Sequence, residues 1–187
     1  MIHIGKRHLT IDDLVKVARF NEKCKLSKDA VERIQISNNR LNVILKSSKP
    51  VYGINTGFGV FADKKIKSDE INTLNRNLII SHAVGTGEPL EPEIVRAAML
   101  VRANTLAAGY SGIRVEIVQT LLDLLNSDVT PVVPSQGSLG SSGDLCPLSH
   151  MALVITTDNQ NLDEESGLAN YQGRTMTGKE AMEKAGI

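Results

Sequence analysis

The sequence has no tryptophan, few other aromatic residues and no net charge, and each of these shortages argues against a class of function. Aromatic residues make up 3% of the 187 residues, which leaves little material for stacking platforms that bind single-stranded nucleic acid. The 21 Lys and Arg residues balance the 21 Asp and Glu residues. No overall positive field would therefore attract nucleic acid or anionic lipid.

The chain is also poor in cysteine and in long apolar runs. Its two cysteines, Cys24 and Cys146, lie outside any C-x-x-C or Cys/His spacing, which argues against a zinc ribbon or finger. Two thiols without a disulfide framework suit a reducing compartment. The N-terminal residues are too polar for a signal peptide, and no run reaches the roughly 18 apolar residues of a membrane helix. We therefore expect a cytoplasmic protein that binds neither membrane nor nucleic acid.

The apolar residues that are present follow helical spacing over most of the chain. Thr10 with Asp13 matches a capping box, and Pro92 suits the first turn of a helix. Helices are predicted to begin at or just after seven residues: Thr10, Ser27, Ser68, Pro92, Ser111, Asp144 and Thr177. The sequence thus predicts a mainly α fold, with a small β-hairpin in residues 1–9 that turns at Gly5.

Three glycine-rich loops interrupt this helical pattern, at 51–61, 81–92 and 137–144. The last, GSLGSSGD, directly precedes a predicted helix. It lacks the lysine of a P-loop, and it fails the G-x-S-x-G pattern because Asp144 stands two residues after Ser142. Local pattern alone would make it a flexible turn in front of a helix that Asp144 caps.

Taken together, the loops resemble motifs of the histidine and aromatic amino-acid ammonia-lyases. The resemblance is carried, in order, by YGINTGFG (52–59), SHAVGTGEPL (81–90), VRANTLAAGYSGIR (101–114), PSQGSLGSSGDLCPLSHMAL (134–153) and GKEAMEKAGI (178–187). It implies the helical fold of those lyases. It also implies non-oxidative elimination of ammonia from L-histidine to give urocanate, a step of histidine catabolism that needs no metal or diffusible cofactor.

The resemblance further implies an electrophile that the chain makes from itself. In this family an Ala-Ser-Gly triplet cyclises to 4-methylidene-imidazole-5-one (MIO), and the matching positions are Ser141, Ser142 and Gly143. The Gly143 nitrogen would attack the Ser141 carbonyl carbon, and Ser142 would lose its hydroxyl as water. A residue without a Cβ permits the tight bend, and Gly140 gives it room. The N-terminus of the helix after Asp144 would stabilise negative charge on the ring.

Two further motifs carry the implied base and the implied selectivity residues. Tyr52 matches the base that removes the β-proton of the substrate, a role that requires a stabilised phenolate; the structural alternative is a core tyrosine with a satisfied hydroxyl. Asn55 and Gly59 of the same loop are predicted to bind substrate and to support the loop, respectively.

Ser81 and His82 match the selectivity position of the family. Relatives that act on histidine carry Ser-His there, tyrosine-specific relatives tend to have His-His, and phenylalanine-specific relatives have an apolar pair. A polar substrate ring needs a polar partner, whereas a phenyl ring needs apolar contact. The structural alternative for His82 is an ordinary loop histidine. Cys146 and His150, four residues apart, could form a nucleophilic pair, but we favour buried packing.

Members of the family are usually longer, and the resemblance covers their N-terminal third. We therefore predict that residues 1–187 form an N-terminal MIO-bearing domain with an acidic loop at about 157–170, and that the C-terminal helical part is absent. In the family a homotetramer shares its active sites between subunits. Two alternatives stay open: a tyrosine or phenylalanine ammonia-lyase or aminomutase, and a non-catalytic helical protein that forms no ring.

Overall fold

The computed structural model describes residues 1–47, 49–67, 70–156 and 166–187. Its helices are α1 (Ile11–Phe20), α2 (Lys28–Leu45), α3 (Ile71–His82), α4 (Pro92–Leu106), α5 (Val115–Asn126), α6 (Leu145–Ile155) and α7 (Gly178–Ala185), with a short 3₁₀ helix at Gly59–Phe61. Its strands are β1 (Ile2–Ile4), β2 (Cys24–Leu26), β3 (Thr86–Pro89), β4 (Thr130–Pro131), β5 (Pro134–Gln136), β6 (Leu168–Tyr171) and β7 (Arg174–Thr177). The prediction of a mainly α fold is confirmed. No helix of the described residues is long and apolar enough to cross a membrane.

The predicted hairpin in residues 1–9 is wrong. The alternation of Ile2 and Ile4 does make strand β1, but β1 pairs in parallel with β2, on the far side of α1. Gly5 has a φ of +77°, and a Cβ added there would lie 2.6 Å from the Cβ of Ala30. This glycine therefore allows the chain to pass close to α2, and the turn it makes leads into a crossover instead of a hairpin.

Local capping signals locate most helix starts correctly. Thr10 and Asp13 form the predicted capping box at α1, and the Ser27 hydroxyl accepts from the N–H of Ala30 at α2. Thr177 caps α7. The predicted start at Ser111 is wrong because α5 begins at Val115, with Arg114 at its cap position. Ser68 lies outside the described residues.

Helix α4 lies at the centre of the core, between α1 and α5. Its buried apolar side chains are Val95, Met99, Leu100, Ala103 and Leu106. The same helix also buries Arg96, which is 3% exposed. The guanidinium donates to the carbonyl oxygens of Val17, Ala18 and Leu125 at 2.9–3.2 Å. One cation therefore binds carbonyls at the C-terminal ends of α1 and α5, where helices leave acceptors unpaired.

The last described segment is a small antiparallel sheet that packs on α6 and α7. Strand β6 pairs with β4 on one side and with β7 on the other. Gln172 and Gly173, both with positive φ, form the turn between β6 and β7, as type I′ hairpins require. Of the acidic loop predicted at about 157–170, residues 157–165 lie outside the described residues, and residues 168–170 belong to β6.

Candidate active site

The 137–144 loop connects β5 to α6 and exposes the triplet at its centre. Ser141 and Ser142 are exposed and lie in a turn with Gly140. Gly140 and Gly143 have φ values of +81° and +74°, which favour glycine over residues with a Cβ. A Cβ added to Gly143 would also lie 2.7 Å from the Ser138 hydroxyl oxygen. The loop is therefore tightly turned on both sides of the two serines.

Helix α6 begins directly behind this loop. Asp144 occupies the predicted cap position, but its side chain makes no capping hydrogen bond. The first helical bond runs from the N–H of Leu148 to the Asp144 carbonyl oxygen, at 3.0 Å. The N–H groups of Leu145 and Cys146 therefore point toward the loop without a side-chain cap. They form the positive end of the helix dipole beside the triplet.

The second motif lies at the C-terminal end of α3. Nδ1 of His82 lies 2.8 Å from the Leu78 carbonyl oxygen. The Ser81 hydroxyl donates to the same oxygen at 2.9 Å and lies 3.1 Å from Nδ1. A carbonyl oxygen only accepts hydrogen bonds, so Nδ1 must carry the proton. In the neutral ring, Nε2 of half-buried His82 is then a hydrogen-bond acceptor.

Two of the three predicted motifs lie side by side. Strand β3, which follows His82, pairs antiparallel with β5, which leads into the 137–144 loop. Between them, the N–H of Gly85 donates to Nε2 of His150 on α6 at 3.0 Å. A Cβ added to Gly137 would lie 3.2 Å from the Cα of Gly85. The 81–87 segment, which contains His82, therefore contacts the start of the loop and the helix that follows the loop.

The contacts of Cys146 and His150 support the packing interpretation of both residues. A Cβ added to Gly137 would lie 2.5 Å from Sγ of buried Cys146. Burial lowers the pKa of His150, and Nε2 of this histidine accepts from Gly85. Both side chains thus hold the 137–144 loop and the 81–87 segment. The sequence gives no signal for the contact between Gly85 and His150 because the two residues are 65 positions apart.

The third motif forms a separate loop, 51–67, which we call the Tyr52 loop. Tyr52 is 63% exposed, and its ring packs edge-to-face on Phe58 with centroids 5.9 Å apart. Gly59 is exposed, has a φ of +57° and begins the 3₁₀ helix. Within the described residues, no hydrogen bond, ion pair or ring contact joins the Tyr52 loop to the 137–144 loop.

The side chain of Asn55 stabilises the Tyr52 loop through hydrogen bonds to the loop backbone and to Lys49 just before it. The side chain is buried; its Oδ1 accepts from the N–H of Val51 at 2.7 Å, and its Nδ2 donates to the Lys49 carbonyl oxygen at 3.0 Å. Its backbone carbonyl accepts from the N–H of Ile66. The Asn55 amide is thus committed to the loop backbone, and its predicted contact with substrate stays a prediction.

The chain is similar to known lyases over nearly its whole length. A family model described as aromatic amino acid lyase matches residues 9–187. The histidine ammonia-lyase of Alkaliphilus oremlandii is 49% identical over 186 residues, and that of Caldanaerobacter subterraneus is 48% identical over 184 residues. These matches cover 100% and 98% of this chain but 35% of each relative. The chain therefore spans about a third of the length of these curated relatives.

Solved structures of similar proteins share the fold. Histidine ammonia-lyase from Trypanosoma cruzi has a TM-score of 0.84 and 33% identity, and the match covers 100% of this chain and 34% of that one. Ergothionase from Treponema denticola has a TM-score of 0.88 and 34% identity, covering 100% and 36%. Phenylalanine aminomutase from Pantoea agglomerans has a TM-score of 0.87 and 31% identity, covering 100% and 34%.

Proposed function

This chain belongs to the aromatic amino acid lyase family, and we propose that it forms part of an enzyme that eliminates ammonia from L-histidine to give urocanate. The observation that carries this proposal is the Ser81–His82 pair, whose ring presents an acceptor nitrogen at the end of α3, in the segment that packs against β5 and α6. The identity of 49% and 48% to histidine ammonia-lyases supports it.

Residues 141–143 fit the formation of the MIO group. Ser141 and Ser142 lie in an exposed turn, and Gly143 has a backbone conformation that favours a residue without a Cβ. Ser141 would contribute only its backbone carbonyl, so a serine in place of the usual alanine leaves the ring bonds unchanged. The group would supply an electrophile that draws electrons from the substrate and promotes loss of ammonia.

The start of α6 would stabilise negative charge next to this electrophile. The N–H groups of Leu145 and Cys146 lack a side-chain cap, so they remain available as donors. Fixed donors of this kind, aimed at developing charge, are among the strongest contributions to catalysis because they need no reorganisation during the reaction. Asp144 supports this arrangement through its backbone carbonyl, which accepts the first helical hydrogen bond.

His82 would orient the substrate ring. Its Nε2 lone pair can accept a hydrogen bond from an imidazole N–H, whereas a phenyl ring offers no such donor. The Leu78 carbonyl and Ser81 hydroxyl fix the His82 ring in this orientation. Phenylalanine matches this arrangement less well than histidine does because its ring offers no donor. The phenol of tyrosine can donate, and the substrate panel separates tyrosine from histidine.

Tyr52 would take the β-proton of the substrate. Its phenol is exposed and its ring is held by Phe58, so the hydroxyl is open to groups from outside this chain. We propose that the Tyr52 loop of one subunit completes the site that contains the 137–144 loop of another, in a homotetramer. A second subunit would then supply the donors that stabilise the phenolate.

A substrate panel tests the proposed function. The complete, assembled protein is given L-histidine, L-tyrosine and L-phenylalanine in turn, and the ultraviolet absorbance of the unsaturated acid product is followed. We expect product from L-histidine and little from the other two, with none from the Ser142→Ala variant. A preference for tyrosine or phenylalanine, or release of a β-amino acid, would instead support the alternative lyase or aminomutase.

A further inference from the structure

We infer that His150 is a positioning residue that fixes the 81–87 segment, and through it His82, against the 137–144 loop. The inference rests on the proposed function, because it concerns the alignment of substrate with the proposed electrophile. We assign His150 no direct contact with the substrate or with the proposed electrophile. It acts through a backbone contact, the hydrogen bond from the N–H of Gly85 to Nε2 of His150 at 3.0 Å.

The surroundings of Gly85 show why this contact controls the position of the 81–87 backbone. A Cβ added to Gly85 would lie 3.0 Å from Nε2 of His150, 3.1 Å from the Gln136 carbonyl oxygen and 3.1 Å from the Cβ of Pro134. Gly85 is therefore enclosed by α6 on one side and by β5 on the other. These two elements flank the 137–144 loop, so the backbone three residues after His82 is held by the strand before the loop and by the helix after it.

The β3–β5 pairing alone leaves this segment incompletely fixed. The two strands pair at Thr86 with Gln136 and at Pro89 with Pro134, and the register shifts between these pairs. The two prolines donate no ladder hydrogen bond. The His150 contact lies closer to His82 than either pair does, at the point where the chain leaves α3. We therefore expect it to set where the end of α3 stands relative to the loop.

The contact demands a specific kind of side chain at position 150. Nε2 accepts the hydrogen bond, so in the neutral ring the proton resides on Nδ1. Burial lowers the pKa of this histidine, which favours the neutral ring that the contact requires. A replacement must offer an acceptor at the same reach. Glutamine does so with its Oε1 atom, whereas asparagine is one methylene too short and leucine has no acceptor.

Three variants of the complete, assembled protein test the inference: His150→Gln, His150→Asn and His150→Leu. For each, four quantities are measured: the KM for L-histidine, the kcat for L-histidine, the intact mass, and deuterium exchange of peptides that contain Gly85. We expect His150→Gln to stay close to the parent protein. We expect His150→Asn and His150→Leu to expose the Gly85 amide to exchange and to raise KM about tenfold, as loss of one partly buried hydrogen bond would.

The intact mass separates the proposed positioning role from a role in ring formation, since we expect all three variants to have the same modification as the parent. If the asparagine variant exchanges faster at Gly85 but keeps the parent KM, the inference is overturned. Equal losses in the glutamine and asparagine variants would also overturn it. If the parent protein has no activity on histidine, the proposed function fails separately, and the exchange data then still report whether His150 holds Gly85.

Discussion

Nδ1 of His82 lies 2.8 Å from the carbonyl oxygen of Leu78, four residues earlier in the chain. Because that oxygen can only accept, the contact fixes both the tautomer and the direction of the ring. Nε2 is thereby left as an acceptor at the end of α3, three residues before the Gly85 contact with α6. A residue that local pattern would make an ordinary loop histidine is thus oriented by its own helix to receive an N–H donor.

Replacement of His82 is expected to change substrate preference. His82→Leu removes the acceptor and offers an apolar surface, so kcat/KM for L-histidine should fall by about a hundredfold or more. The rate with L-phenylalanine relative to L-histidine should rise. Ser81→Ala is the matched control, because it leaves the His82–Leu78 contact in place and should cost less than tenfold. Equal losses for both substrates in His82→Leu would contradict a selectivity role.

Removal of the Tyr52 hydroxyl is expected to reduce turnover while leaving the electrophile intact. Loss of a general base typically lowers the rate by about 10²–10⁴-fold, so Tyr52→Phe should lower kcat by a factor in that range. The intact mass should equal that of the parent apart from the missing oxygen. Tyr171→Phe, a change on β6, is the control and should leave kcat unchanged. Full activity of Tyr52→Phe would rule out the proposed base.

Arg96 is expected to be a major source of stability. Replacement by methionine keeps an unbranched apolar side chain but removes the guanidinium bonds to the Val17, Ala18 and Leu125 carbonyls and the ion pair with Asp128. Such a change should lower the free energy of unfolding by about 3–5 kcal/mol. Arg19→Met breaks only the exposed ion pair with Glu93, and it should cost about 1 kcal/mol or less. Urea unfolding measures both, and equal costs would refute the assignment.

Acid is expected to weaken the N-terminal capping box. The Arg7 guanidinium and the Thr10 N–H donate to Asp13 and hold the pKa of its carboxyl well below the usual range. A lowered folded-state pKa stabilises the protein above the unfolded-state pKa of about 4, and that stability is lost as the pH falls. The destabilisation caused by Asp13→Asn should therefore be larger at pH 7 than at pH 3.

Urea midpoints at several pH values give this comparison. Asp12→Asn, which alters an exposed carboxylate on the same helical turn, is the control and should show a smaller pH dependence. A destabilisation by Asp13→Asn that stays constant down to pH 3 would show that the ionised carboxylate contributes nothing to the cap.

Local signals in the sequence predict the helices well because a cap and its helix lie within a few residues. Thr10, Ser27 and Thr177 are found where that logic places them. Strand partners are different, since alternation identifies β1 as a strand but contains no information on its pairing. The true partner, β2, follows a whole helix, so the expectation of a local hairpin fails.

The candidate site likewise has residues that local motifs predict and contacts that local motifs do not predict. Family resemblance predicts roles for Tyr52, His82 and residues 141–143 from contiguous motifs. The contact between Gly85 and His150 joins residues 65 positions apart, and neither residue belongs to a pattern that indicates the other. The packing of α3 on α6 and the pairing of β3 with β5 bring them together. The support of the site, as opposed to its chemical groups, therefore depends on tertiary structure.

The central claim is that residues 141–143 condense with each other, and the intact mass of the complete, assembled protein tests it most directly. Ring closure and dehydration of Ser142 together remove two water molecules, so we predict a mass lower than the sequence value by two waters. Fragmentation should locate the loss in the peptide that contains Gly143, and the Ser142→Ala variant should not show it. If all of the protein has the mass calculated from the sequence, the result would contradict the account and favour a helical protein without an electrophile.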